Sequence, residues 1–255
     1  MKEFSIDDVS IMYEDSHILV AFKPQNIPSQ ADASEDTDLL TLLKNHIKQR
    51  DNKPGNVYLA LLHRLDRVTG GLMVFAKNEK SASRLSRAIR EREEKKSYIA
   101  VVLGQPREKQ GTLVNYLKKH AATNQVYAAT EGTEGAKKAV LRYKVLESPG
   151  VISLLAVELE TGRSHQIRVQ FAVNGNPVFG DVKYGGDKLS KGHNLALWAA
   201  RLEFVHPVTG DNMIFVSYPP EDKEPWKKFD LGKYLDYFKN GLEIKEQIKD
   251  LYAED

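Results

Sequence analysis

The apolar periodicity of this chain agrees with an α+β protein built on a largely antiparallel sheet. Three observations point that way. Residues 126–160 hold three short apolar runs separated by Gly- and Pro-bearing turns. Residues 39–49 and 79–92 instead carry apolar side chains at helical spacing. Between them, the stretch VYLALLHRLDRVTGGLMVFAK (Val57–Lys77) has two apolar runs, Val57–Leu62 and Leu72–Ala76, flanking a polar turn. Short apolar runs bounded by glycine read as buried strands, and periodicity of this kind is compatible with the fold class without establishing it.

In chain order, Ile18–Phe22 is the first clear strand, stopped by Pro24. Lys23 sits at its end, as a cleft residue or a solvated strand terminus. Pro28–Asp38 is small and polar and reads as a mobile loop. Leu39, Leu42, Leu43 and Ile47 then mark a helix, and Pro54-Gly55 a turn. In the central turn His63, Arg64, Asp66, Arg67 and Thr69 lead into Gly70-Gly71. Asp and Thr before Gly are ordinary turn residues that bond their own backbone. The alternative is that a carboxylate and two guanidiniums are mounted there for chemistry, since buried charge needs partners.

Asn78 caps a helix over about 79–92 whose apolar face is Ala82, Leu85, Ala88 and Ile89. Its arginines, Arg84, Arg87, Arg90 and Arg92, suit a solvated face or phosphate contacts equally. Lys96–Gly104 is a strand containing Tyr98. Residues 105–125 are basic with little periodicity and read as an irregular excursion. Val126–Thr130, Ala136–Glu147 and Val151–Glu160 form a meander. Ser164 can cap a helix running to about Val173, stopped by Asn174-Gly175, with His165 and Arg168 on one face. A loop from Tyr184 through His193 carries Lys188 and Lys191. Leu195–Phe204 and Met213–Tyr218 are strands, and Leu235–Leu251 has helical spacing interrupted by Gly241.

The bulk numbers exclude several classes. A hydrophobic content of 41% allows a core in a 255-residue chain. No apolar run reaches the length of a membrane span, and the start lacks a signal-peptide core. The absence of cysteine rules out disulfides, thiol catalysis and Cys-ligated metal sites, and fits a cytoplasmic protein. The seven histidines show no metal-binding spacing, and neither a phosphate loop nor a serine elbow is present. No metal and no cofactor are expected. A net charge of +2 is a weak footprint for a nucleic-acid binder, so local clusters must carry any RNA contact.

The segment HRLDRVTGGLMVFAK resembles the HRLDxxTSGLLLFAK signature of the RluA-type pseudouridine synthases. Gly70-Gly71 stands where the family has Ser-Gly, a departure expected to affect the turn and not the chemistry. Three further segments resemble the family in the same order. They are the Tyr13–Pro24 opening, KSYIAVVLG (Lys96–Gly104), and TGRSHQIRV (Thr161–Val169) with its GNPVFGD loop (Gly175–Asp181). LALWAARLEFVHPVTG (Leu195–Gly210) is also similar. Family members often have His where this chain has Gln170, read as a peripheral change. The similarity covers about residues 11–220, leaving 221–255 as a tail and helix.

What the resemblance implies is a single catalytic domain, without room for an N-terminal S4 domain before residue 11. The implied fold is a mixed, mainly antiparallel sheet with peripheral helices and a central active-site cleft. It implies an enzyme that isomerises uridine in ribosomal or transfer RNA. Asp66 falls on the catalytic aspartate, Arg168 on the arginine that pairs with it, and Tyr98 on the active-site tyrosine. Arg64 falls on the residue that fills the gap left by a flipped base. His63, Thr69, Arg163, His165, Gln166 and Lys23 are expected to bind substrate. A structured RNA is the expected partner of a monomeric protein.

Two other classes compete. An RNA-binding or ribosome-assembly factor would need none of this chemistry, which the co-occurrence of Asp66, Tyr98 and Arg168 disfavours. A glycosidase needs two carboxylates at a set separation. Only Asp66 lies in a motif, while Glu158 and Glu160 read as strand-edge residues.

Overall fold

A computed structural model describes residues 4–120, 123–186 and 192–241. In chain order its elements are β1 (Ser10–Glu14), β2 (Ile18–Lys23), α1 (Leu39–Arg50), β3 (Ala60–Leu61), β4 (Gly70–Ala76), α2 (Glu79–Glu91), β5 (Lys95–Leu103), β6 (Gln110–His120) and β7 (Gln125–Ala129). They continue with β8 (Lys137–Glu147), β9 (Ile152–Leu159), α3 (Gln166–Val173), β10 (Leu197–Val205), β11 (Asn212–Val216) and α4 (Leu235–Asn240). Strand pairing is mixed and mainly antiparallel. The chain divides into two compact units, Met1–Lys96 with Trp198–Pro219, and Ser97–Leu197 with Pro220–Asp255.

In the first unit β2 lies antiparallel to both β1 and β4, in a register that sets Ile18 against Ala76 and Lys23 against Gly71. Both β2 and β4 are buried almost throughout, as expected of strands whose apolar runs do not alternate. β10 pairs parallel with β4, Trp198 beside Gly70 and Ala199 beside Gly71. β11 returns antiparallel on β10. Ile18, Val20, Leu72, Val74, Leu202 and Phe204 meet Leu85 of α2 in one core. Asn78 caps α2 as its sequence predicts, accepting from Ser81 N–H at 2.9 Å, and Asp38 does the same for α1 toward Thr41 at 3.0 Å.

Three expectations in this unit are corrected. Of Val57–Leu62 only Ala60–Leu61 pairs as a strand, although Val57 and Leu59 are buried. Gly70-Gly71 does not form the turn but begins β4. Pro28–Asp38 is tied down. Ser29 is buried, donates to Leu65 O at 2.9 Å and accepts from Leu65 N–H at 3.2 Å, and the acidic residues of the loop hold Arg67.

The second unit is an antiparallel series, β5 on β9, β9 on β8, β8 on β6 and β6 on β7. Helix α3 packs Val169 against Leu117, Val126 and Ala139. Residues 105–125 are therefore not an irregular excursion, because they contain the eleven-residue strand β6. Glu158 and Glu160 lie on β9 or just past it and face Arg142 of β8 at 3.8 and 3.2 Å. The last helix among the described residues is α4, which ends at Asn240 with Gly241 as its C-cap; the remainder of the expected 235–251 helix lies outside the described residues. Lys188 and Lys191 also lie outside them. Among the described residues no helix is long and apolar enough to cross a membrane.

Candidate active site

Asp66 is half-buried on the loop between β3 and β4, and the backbone of that loop is gripped from one side by residues 23–29. Lys23 is wholly buried and donates to Pro24 O, Ile27 O and Arg67 O at 2.9, 2.8 and 2.9 Å. Asn26 N–H donates to the same Arg67 oxygen at 2.8 Å, and Gln25 Nε2 to Val68 O at 2.9 Å. Ser29 completes the set at Leu65. Thr69, also buried, turns its N–H back onto Asp66 O at 2.9 Å. The carbonyls of Leu65, Asp66, Arg67 and Val68 are thus all engaged, which fixes the path of the backbone that carries Asp66.

Lys23 is accordingly not a solvated strand end. Three carbonyl acceptors match the three N–H donors of an ammonium. Burial lowers its pKa from 10.5 to about 7, against the pull of the nearby Asp66 charge. Arg67 turns away to the 32–36 loop, binding Asp36 and, at 3.1 Å, both oxygens of Asp32. Hydrogen bonding to Arg67 holds Asp36 below the usual carboxylate range. Arg64 is exposed. His63 accepts from Val74 N–H of β4 at Nε2, 3.1 Å, and burial keeps its pKa well below 6.5. It is a neutral ring that holds the loop to the strand.

Of the residues expected in the second unit, Arg163, His165, Gln166 and Arg168 lie at the start of α3. Arg168 is buried and forms a two-pronged pair with Asp181, Nε to Oδ2 and Nη2 to Oδ1, both 2.8 Å. Its guanidinium also lies 5.1 Å from the ring centre of Tyr184. Oδ1 of Asp181 further accepts from the N–H groups of Lys183 and Tyr184 at 3.0 and 3.1 Å. The Tyr184 hydroxyl is 2.6 Å from His165 Nδ1 and accepts from Val126 N–H at 3.0 Å. Tyr98 is nearly buried on β5, opposite Val157 of β9.

Ser164 does not cap α3. His165 occupies the cap position in the left-handed region, φ 52°, with no side-chain cap, and the helix begins at Gln166. Gln166 supplies the local order instead. Its Oε1 accepts from Thr161 Oγ1 at 2.8 Å and Arg163 N–H at 2.9 Å, and its Nε2 donates to Val140 O at 3.0 Å. Arg163 Nε reaches Lys138 O at 3.0 Å. Gln170 is not peripheral. It is buried, accepts from Gln166, and donates to Leu113 O, Asn115 Oδ1 and Ala139 O at 2.9, 2.9 and 3.2 Å.

Asp181, Tyr184, Gln25 and Ser29 were not assigned from the sequence. For Asp181 a signal existed, the GNPVFGD segment; the others are polar residues whose partners are main-chain or distant. Among the described residues no group of three or more His, Asp or Glu side chains is placed to hold a metal ion.

This mixed, mainly antiparallel sheet with few helices is the fold of pseudouridylate synthases. The chain belongs to the RNA pseudouridylate synthase family, whose model matches residues 17–173, and it is an RNA pseudouridine synthase of the RluA type. It is 34% identical over 218 residues to YhcT of Bacillus subtilis (strain 168), named an uncharacterized RNA pseudouridine synthase, covering 83% of this chain and 68% of that one. It is 35% identical over 229 residues to ribosomal large subunit pseudouridine synthase D of Pseudomonas aeruginosa, covering 84% and 69%. Its fold is similar to that of human RNA pseudouridylate synthase domain containing 1, with a TM-score of 0.71 at 22% identity over 94% of this chain and 98% of that one. The human domain containing 4 gives a TM-score of 0.70, again at 22% identity, over 83% and 89%.

Proposed function

We propose that this enzyme isomerises particular uridines in structured ribosomal or transfer RNA, acting in the cytoplasm as a monomer with a single catalytic domain. Asp66 is its catalytic carboxylate. Arg168 is the arginine that the family resemblance assigns to the aspartate, Tyr98 stacks on the uracil, and Arg64 fills the space left in the RNA. The name of the Pseudomonas relative favours large-subunit ribosomal RNA.

The chemistry asks little beyond these groups. The N1–C1′ bond breaks, the uracil turns, C5 bonds to C1′, the C5 proton departs and N1 regains one. A carboxylate serves either as nucleophile at the sugar or as base toward a sugar proton. A cation beside a carboxylate favours its ionised form, which either role needs. Taking a uracil out of a stacked RNA costs a few kcal/mol. One aromatic stack returns about 1–3 kcal/mol.

The observation that carries the reading is the grip on the Asp66 loop, since a catalytic group is effective when its backbone cannot drift. The test is tritium release from RNA labelled at uridine C5, using total RNA from cells lacking this protein. Release by the wild type and none by Asp66→Asn supports the assignment. Equal release by both sinks it. Binding of the same RNA by an inactive wild type favours a factor that binds RNA without modifying it.

A further inference from the structure

Gly70 lies four residues after Asp66, where the clamped loop becomes β4, and the ring of Trp198 rests directly on it. A Cβ placed on Gly70 would overlap Cζ3 of that ring and lie 2.5 Å from Cε3, with Cγ of Gln25 3.0 Å away. The neighbouring Gly71 is equally constrained. Its φ is +120°, and a Cβ there would overlap the main chain of Ala199. The parallel register sets Trp198 beside Gly70 and Ala199 beside Gly71. Two bare glycines thus let β10 and its indole close onto the base of the loop.

Trp198 is 4% exposed and packs against Phe22 with ring centres 6.2 Å apart. Its indole N–H has no hydrogen-bond partner among the described residues. The ring is therefore held by shape alone. Gln25 connects this contact to the loop, since its Cγ faces Gly70 while its Nε2 holds Val68 O at 2.9 Å.

We infer that Trp198 and Gly70 act as one positioning device for the Asp66 loop, the indole doing by packing what a side chain at residue 70 would otherwise do. The serine that the family signature has at this position cannot be accommodated while Trp198 stays in place. The glycine at position 70 then makes room for the tryptophan and is not a neutral variation in a turn. Trp198 is a positioning residue: it touches the loop base and acts on the reaction through Asp66. The inference rests on Asp66 being the catalytic carboxylate.

The test is a double-mutant cycle of wild type, Gly70→Ser, Trp198→Leu and the combined variant, each assayed for tritium release and thermal melting. Gly70→Ser is expected to lower kcat at least tenfold, with KM for RNA changed by no more than about twofold. Contacting residues are non-additive, so the combined variant should recover several-fold over Gly70→Ser alone. Should Gly70→Ser fail to fold, a folded and active combined variant supports the inference, and an unfolded one overturns it. A Gly70→Ser enzyme as active as wild type, or a combined variant no better than Gly70→Ser, also overturns it. Asp66→Asn in parallel keeps the two readings apart. Activity in that variant would remove Asp66 from the chemistry, while coupling between residues 70 and 198 would still be read from the four melting temperatures.

Discussion

The ammonium of Lys23 donates to the main-chain oxygen of Arg67 at 2.9 Å, across a sequence separation of 44 residues. With Pro24 O and Ile27 O it completes three bonds in a site shut off from solvent. Lys23→Met keeps the length of the side chain and removes its amino group, leaving the three carbonyls without that partner. A buried group left without its partner costs about 1–3 kcal/mol. The variant should be about 3 kcal/mol less stable than wild type at pH 9 by urea unfolding. The pH dependence has a defined sign. The folded pKa is about 7 and the unfolded one is near 10.5. Between these values the unfolded chain binds more protons, so wild-type stability rises with pH and falls as pH drops toward 7. The deficit of Lys23→Met should shrink from pH 9 to pH 6; a constant deficit would show that burial does not penalise the charge.

His63 makes the acid limb of the profile testable. Burial, with the Lys96 charge second, holds its folded pKa well below the unfolded 6.5. Its contribution is complete above pH 6.5 and is lost as pH falls below that, where only the unfolded chain takes up a proton. His63→Gln keeps an acceptor for Val74 N–H and removes the titration. Between pH 6.5 and 5 its stability should fall less steeply than wild type, by up to about 1.4 kcal/mol per pH unit. Parallel slopes would mean that His63 charges in the folded state.

Arg168 and Asp181 share one buried pair, and each variant should expose a different part of it. Asp181→Ala leaves a guanidinium without its two acceptors and should cost about 3–5 kcal/mol in unfolding free energy. Arg168→Lys keeps the charge but not the two-pronged geometry, and an ammonium does not replace a guanidinium in such a site. It should fold, with a lower melting temperature, and lose most tritium release. Full activity in Arg168→Lys would show that charge alone is needed at that position.

The parts of this fold that could be read from the sequence are those where one signal dominates. Leu72–Ala76 is an uninterrupted apolar run because β4 is buried on both faces, and Asn78 before an amphipathic stretch could hardly be anything but a cap. β6 was missed because only Leu117 of its eleven residues is buried, so no alternation stood out. Ser164 carries the stronger capping propensity, yet Gln166, reaching back to Thr161 and Arg163, orders the turn through tertiary contacts that no local rule anticipates. Asp66 and Arg168 were singled out through their motifs. Lys23 was read as solvated because a lysine at a strand end normally is, and one of the carbonyls that hold it, Arg67 O, comes from a segment 44 residues away.

Gln170 shows the same limit and gives the last prediction. On sequence it is a polar residue in a short helix, where a peripheral position is the natural reading. In the structure its amide joins α3 to two strands, donating to Leu113 O and Asn115 Oδ1 of β6 and Ala139 O of β8 while accepting from Gln166. Gln170→Leu has similar bulk but no polar atoms, so Asn115 and the two carbonyls lose a buried donor and Gln166 loses an acceptor. The cost should be about 2–3 kcal/mol. For a chain of this size that is a melting-temperature drop of roughly 5–10 °C. Gln166 also orders the main chain at Arg163, so the loss should spread to the start of α3 and lower tritium release. Circular dichroism melting and the release assay check both effects. An unchanged melting temperature would return Gln170 to the periphery, and a large thermal loss with full activity at low temperature would confine its role to stability.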